Sequence, residues 1–368
     1  MTEELSRTSA LADRHKSLGS GLEDWNGMGT AWEYSTDPMS EHDAIRETAG
    51  MFDMSPLKKV RVTGGDAAAV VDHAHSRDLR RLTTGQSAYG AVLTEQGTVA
   101  DDAIVFKHAD DNWLFVHGSG ASMELLEESA ANRNASIDLD DDLHIISLQG
   151  PASLDLLDTN TNIDLAPVPY FHHAHGSLFG RPTMISRTGY SGERGYELIA
   201  GADEVVALWD AIVEAGSAQG VMPASFTALD KVRVEAALLF YGYDMTDEHH
   251  PSEVGLGWAL SKNGGDYRGK SPALAAVGNE RFVGAGISVE HDDMIAGGET
   301  LQLDGADVGM VNSPAFSHRL NKSLALVHLQ PGAAEPGTAL TVVGDGVEHT
   351  ATVEAIPFFD PGKTRTHG

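Results

Sequence analysis

RTGYSGERGYE, residues 187–197, is the stretch from which the architecture of this chain can be read outward. Gly189, Gly192 and Gly195, with Gly180 upstream, permit positive φ or a close backbone approach that a side chain forbids. The flanking runs PTMIS (182–186) and YELIA (196–200) carry the β-branched and aromatic residues of paired strands, so the segment reads as a hairpin. If Tyr196, Leu198 and Ala200 share one strand face, Glu197 lies on the other. On the glycines alone, Glu197 is either a solvated charge beside a turn or a carboxylate aimed at a ligand.

The chain has 368 residues, more than one core usually organises, so two or three domains are expected. Hydrophobic residues make up 41% and no long low-complexity tract is present, as for a globular protein throughout. The absence of cysteine removes disulfides, thiolate metal sites and cysteine nucleophiles together. A net charge of −29 repels phosphate backbones and anionic lipid, so neither nucleic acid nor membrane is an expected partner. Acidic runs such as DLDDD (138–142) and HDD (291–293) fit a hydrated surface of the halophilic type, where salt screens self-repulsion. No run approaches the ~18 apolar residues of a membrane span. The first twenty residues lack an apolar signal core, and the expected location is the cytoplasm.

Helical spacing is present at 41–48 (EHDAIRET), and KKVRVT (58–63) alternates as a strand before Gly64-Gly65. Asp66 then stands as N-cap to the helix-like AAAVVDHAH (67–75). Short strands are expected at 88–93, 103–107 and 113–116, a helix from Ser122 and a strand from His144. Helical spacing returns at 202–215, with Leu208, Trp209 and Ile212 as core, and at 226–239. Beyond Gly269 short alternating runs separated by Gly, Asp and Pro describe an all-β module of about ninety residues, a small barrel or sandwich. The expected domains are residues 1–277, holding two interleaved α+β subdomains, and 278–368.

Asp101 and Asp102 are adjacent at a strand start, so their side chains point to opposite faces and only one can enter a given cavity. His172, His173 and His175 cluster in YFHHAHG (170–176), and His249-His250 form a second pair. HxH on a strand puts two imidazoles on one face, yet a metal needs a third ligand, and no HExxH helix exists; no metal is expected. There is no GxGxxG opening a helix, no GxxxxGK[ST] and no GxSxG around Ser191, which closes the nucleotide-loop and serine-hydrolase readings.

RTGYSGERGYELI resembles the signature of the glycine-cleavage T-protein (aminomethyltransferase) family of folate enzymes. Further matches follow in order: GMFDMSPLKKVRVTG (50–64), GQSAYGAVLTEQGTVADDAIVF (85–106), LQGP (148–151), DKVRVEAALLFYGYDM (230–245), VGMVNSPAFSHRLNKSLAL (308–326) and IPFF (356–359). The resemblance spans nearly everything after about residue 40. It implies an α+β protein of three domains in a ring around a central cavity for tetrahydrofolate, the third domain being the β module. It also implies that Glu197 pairs with the amino-pyrimidine edge of the pterin, as a carboxylate pairs with two N–H donors. Asp102 matches the catalytic aspartate, with Asp101 beside it near the cofactor. Tyr89, Tyr190 and Trp258 match positions around the cavity, where aromatic faces stack on a pterin.

The departures fall on the other side of that cavity. Leu229 stands where the family has arginine, Asp360 where some members have a basic residue, and His117-Gly118-Ser119-Gly120 replaces the family's asparagine-bearing segment. DWNGMGTAWEY (24–34) replaces the N-terminal motif. That pattern implies a relative with a different one-carbon donor: a demethylase that moves a methyl group from a small methylated amine, sulfonium or methoxy compound to tetrahydrofolate, giving 5-methyl-tetrahydrofolate. His117 is then an acid for the leaving group. Trp25, Trp32 and Tyr34 are the expected substrate contacts, forming a cage for a methylated cation. The alternatives are a true aminomethyltransferase, served by a lipoyl carrier protein and giving 5,10-methylene-tetrahydrofolate and ammonia, and a folate-binding relative without transfer chemistry.

Overall fold

A computed structural model describes residues 5–344 and 346–368. The hairpin read from the glycines lies at the middle of a six-stranded sheet. Arg181–Ser186 pairs antiparallel with Gly195–Gly201, placing Met184 opposite Ile199 and Ser186 opposite Glu197. On its other edge Gly195–Gly201 pairs along its whole length with Leu143–Gln149. In spatial order the sheet runs His173–Leu178, Arg181–Ser186, Gly195–Gly201, Leu143–Gln149, Gly50–Asp53 and Met222–Pro223.

A second sheet is threaded into the first between Gly50–Asp53 and Leu143–Gln149. Its order is Ser87–Leu93, Val99–Ala109, Asn112–His117, Lys58–Thr63 and Ser136–Leu139. The chain of the second sheet is therefore inserted between two neighbouring strands of the first. The helix Ala67–Ala74 follows Lys58–Thr63 as expected, but Asp66 does not cap it with its side chain. Its carboxylate accepts instead from the backbone N–H of Asn134, closing a loop between sequence-distant turns.

The period-2 argument holds on Gly195–Gly201. Tyr196, Leu198 and Ala200 are buried in one cluster with Leu208, Trp209 and Ile212 of the helix Ala202–Gly216. Burying one such side chain is worth roughly 1.5–3 kcal/mol, so this helix–sheet layer fixes the register and turns Glu197 to the opposite face.

The helix Phe226–Glu235 is shorter than its spacing predicts. Ser225 caps its start by accepting from Ala228 N–H. At the other end Ala237 takes a positive φ of 54°, and the carbonyls beyond it serve side chains rather than the helix. Leu238 O accepts from Arg233, and Leu239 O from the Tyr190 hydroxyl at 2.5 Å.

The third body settles the barrel-or-sandwich alternative. Val283–Val289, Lys322–Leu329, Ala306–Ser317, Thr300–Leu303, Ala339–Gly344 and Val347–Glu354 close into a barrel in that order, around Ile287, Val311, Val327 and Val342. The barrel is tied to the helix Phe226–Glu235 by two buried bonds, Arg233 to Ser313 Oγ at 2.9 Å and Ser317 Oγ to Glu235 at 2.5 Å. Among the described residues, no helix is long and apolar enough to cross a membrane.

Candidate functional site

The three bodies enclose a cavity of about 730 Å³ whose wall includes Glu197 from the first sheet, Asp102 from the second, and Leu326 from the barrel. That size suits a drug-sized organic ligand. Glu197 reaches it because the strand face opposite the helix Ala202–Gly216 is the cavity face. The Thr188 hydroxyl donates to its Oε2, and burial raises its pKa while that hydrogen bond opposes the rise.

Gly180 and Gly192 take the positive φ read from the sequence, 76° and 77°, while Gly189 and Gly195 permit a close approach, not of a ligand but of a protein side chain. A Cβ on Gly189 or Gly195 would sit 2.1 or 2.2 Å from Gln149 Oε1. Gln149 is fully buried, donates to Ser147 Oγ and Thr188 O, and accepts from Ser191 Oγ at 2.8 Å. The two glycines therefore make room for an amide that pins the loop, and through Thr188 they hold Glu197 in place.

Across the cavity, Asp101 and Asp102 lie inside the strand Val99–Ala109 and diverge as the period-2 geometry requires. Asp102 faces the cavity, and the Tyr89 hydroxyl donates to its Oδ2 at 2.8 Å. Burial first, and the charge of Asp101 second, raise its pKa to about 7. Asp101 is a correction to the sequence reading. It is fully buried on the far face, away from the cavity wall, where its Oδ2 accepts from Ser122 Oγ at 2.6 Å and pairs with His117 Nδ1 at 2.8 Å. An acceptor-only carboxylate at Nδ1 keeps the proton on that nitrogen and leaves Nε2 as the lone-pair end. His117 borders the cavity, and its Nε2 has no hydrogen-bond partner among the described residues.

Tyr190 also lines the cavity, with its hydroxyl held by Leu239 O. Trp258 borders it too, 60% exposed, with the Arg77 guanidinium 5.1 Å from its ring centre.

The three expected substrate aromatics separate. Trp25 lines the cavity, donates to Ser119 Oγ at 3.3 Å and packs edge-on against Phe226. Trp32 lies behind Phe226, at 4.4 Å between ring centres, and is not on the cavity wall. Tyr34 is buried elsewhere, its hydroxyl 2.9 Å from His15 Nδ1. No three-membered cage forms, because the short hairpin of Glu23–Trp25 and Met28–Thr30 presents only Trp25 to the cavity. Leu229 is likewise core, packed with Phe52 and Met54.

Phe240 and Asp244 on the wall were not singled out from the sequence. The only signal was their place in the matched segment 230–245. Their role depends on the chain leaving the helix at Ala237. Lys363 and His367 border the cavity mouth.

Residues 11–264 match the GCVT N-terminal domain, and residues 280–360 match the glycine cleavage T-protein C-terminal barrel domain. The heme-dependent oxidative N-demethylase gamma subunit of Ectopseudomonas mendocina (strain ymp) is 42% identical, over 98% of this chain and 97% of its own length. An aminomethyltransferase of Saccharopolyspora erythraea is 31% identical, over 96% of this chain and 98% of its own. The solved structure of glycine cleavage system aminomethyltransferase T from Bartonella henselae matches in fold, with a TM-score of 0.87 at 24% identity over 96% of this chain and 98% of that one.

Proposed function

The chain belongs to the glycine cleavage T-protein family of one-carbon-transfer enzymes, and from that premise we propose that its acceptor is tetrahydrofolate and its donor a small N-methylated amine oxidised to the formaldehyde level. The observation that carries this reading is the pair of half-buried carboxylates that reach one cavity from two different sheets, Glu197 and Asp102. Glu197 has a single hydroxyl donor among the described residues and lone pairs to spare, the acceptor that an amino-pyrimidine edge requires. Tyr89, Tyr190 and Trp258 supply apolar faces for a flat heterocycle, and Lys363 at the mouth fits an anionic tail. Bound there, tetrahydrofolate supplies two amine nitrogens that hold one carbon between them as 5,10-methylene-tetrahydrofolate.

The methyl of a neutral amine is a poor electrophile, whereas a methylene iminium is a good one. The relative at 42% identity carries the word oxidative in its name, and an aminomethyl group is already at the formaldehyde level. We therefore place the product at methylene rather than 5-methyl. The balance is one iminium plus two N–H bonds giving one bridging methylene, one free secondary amine and one proton. Asp102, negatively charged above pH ~7, stabilises the cationic donor. His117 Nε2, with its tautomer set by Asp101, takes up the released proton, so it acts as base. Oxidation of the amine belongs to a partner subunit in this reading.

A lipoyl-borne aminomethyl donor is the second reading, favoured by the full-length similarity to aminomethyltransferase. The test is to incubate the protein with tetrahydrofolate and, separately, ¹³C-formaldehyde with dimethylamine, aminomethyl-lipoyl carrier, or unoxidised methylated compounds, and to identify the folate product by mass spectrometry. Faster methylene formation from the first donor than without enzyme is expected. Carrier-dependent methylene and ammonia would instead establish the second reading, and 5-methyl product from an unoxidised donor would overturn the assigned oxidation level.

A further inference from the structure

The histidine cluster that lacked a third ligand in the sequence acquires one from a different sheet. His173 and His175 lie two residues apart on the edge strand His173–Leu178 and share a face. His108, near the end of Val99–Ala109 in the second sheet, packs against both, with ring centres 5.1 Å from His173 and 5.0 Å from His175. His108 Nδ1 and His175 Nε2 are 3.1 Å apart, and one ring nitrogen from each of the three falls within 4.8 Å of the others. Metal–nitrogen bonds of about 2.0–2.1 Å in a tetrahedron put donor nitrogens about 3.3 Å apart, so one pair is already at ligand spacing and the third needs a rotamer adjustment.

His173 is 6% exposed, and its Nδ1 has no hydrogen-bond partner among the described residues, which is unusual for a buried polar atom. A neutral imidazole offers one ring-nitrogen lone pair to a cation. His175 opens the cluster to solvent, leaving room for a water as fourth ligand. Arg61 is the nearby opposing charge acting on His108 and His175, and it is ion-paired with Asp140.

We propose that His108, His173 and His175 bind a divalent transition ion of the zinc type. The donor set is three imidazoles with no carboxylate, which suits zinc, copper or nickel and not magnesium or calcium. The ion would staple the edge strand of the first sheet to the second sheet along a seam that also carries His173 N–H to Gly85 O, Ser87 N–H to Phe171 O and a Gln86–His172 side-chain contact. Because Tyr170 and Phe171 just upstream line the cavity, the staple would also steady that wall. This inference stands apart from the identity of the one-carbon donor.

The test is titration of chelator-stripped protein with zinc chloride in competition with a chromophoric chelator, alongside thermal melts and cobalt(II) spectra. One equivalent is expected to bind. His108→Ala and His175→Ala, both at partly exposed positions, are each expected to weaken binding at least tenfold and to abolish the metal-induced rise in melting temperature. His291→Ala, in a separate histidine pair with His349, is expected to leave binding unchanged. A visible cobalt(II) d–d band in the parent protein and none in the double variant His108→Ala/His175→Ala would mark direct ligation. Equal zinc affinity in the parent and that double variant, or no stoichiometric binding by the parent, would overturn the proposal. Circular dichroism confirms that each variant is folded.

Discussion

At the scale of single residues, the two cavity carboxylates are set apart by their partners. Glu197 accepts one hydroxyl hydrogen bond from Thr188 and keeps acceptor capacity for a ligand. Glu197→Gln replaces half of that capacity with donors, and since a hydrogen bond to a charged group is worth ~1.5–3 kcal/mol, the Kd for tetrahydrofolate should rise at least tenfold in a titration. The variant should melt near the parent, because Glu197 is not part of the apolar layer. Asp102 is coupled to stability through its proton. Burial moves it from 3.8 up to about 7, so between those pH values the native state holds a proton that the unfolded chain has released. Stability therefore falls as pH rises through that window. Asp102→Asn should melt a few degrees higher than the parent at pH 8, match it at pH 3.5, and slow transfer a hundredfold or more. Full activity in that variant would remove Asp102 from the chemistry.

At the scale of elements, the period-2 and period-3.6 arguments succeeded wherever one face was buried against a partner in the same body. Gly195–Gly201 and Ala202–Gly216 are the clearest case, since each supplies the other's apolar face. They failed where bonds outside the repeat redirected an end. The helix from Phe226 stops at Glu235 because Ala237 turns to positive φ and the N–H groups of Ala237 and Leu238 bond back to Val234 O and Arg233 O, and Asp66 gives up its capping role to a distant loop. The same long-range logic explains Gly189 and Gly195, which make room for Gln149. In Gly195→Ala the new methyl collides with an amide held on three sides, and overpacking of this kind costs about 1–3 kcal/mol. Urea melts should show that loss. Combined with Gln149→Ala, the cost of Gly195→Ala should shrink, because the obstruction is gone; strict additivity would show that the clash lies elsewhere.

At the scale of the whole molecule, a buried ionic network joins segments that no local pattern connects. Arg46 contacts Glu193 of the glycine loop at 3.0 Å and Glu235 at 2.7 Å, while Glu235 also accepts from His42 and from Ser317 of the barrel. Arg365 reaches back to Glu193 at 2.6 Å. Burial alone would raise Glu235, but the His42 hydrogen bond and the Arg46 charge hold it at about 2. Its contribution is present above the ordinary value of 4.5 and is lost as pH falls from there toward 2. Melting temperature should therefore drop across that interval, and less steeply in Glu235→Gln. Arg46→Ala removes a buried charge shared by two carboxylates, leaving Glu193 to Arg365 and Glu235 to His42 and Ser317, and should cost about 3 kcal/mol in a denaturant melt.

The sequence by itself determined the strand faces and the β character of the last ninety residues, and through the family signature it pointed to Glu197 and the Asp101-Asp102 pair, because alternation, turn residues and a signature are local properties of the chain. Only the tertiary structure decided which of Asp101 and Asp102 faces the cavity, that Trp25 reaches it while Trp32 and Tyr34 do not, and that His108 joins His173 and His175. Those outcomes depend on how separate sheets are set against one another, and nothing in the spacing of residues along a chain records the distance between two sheets.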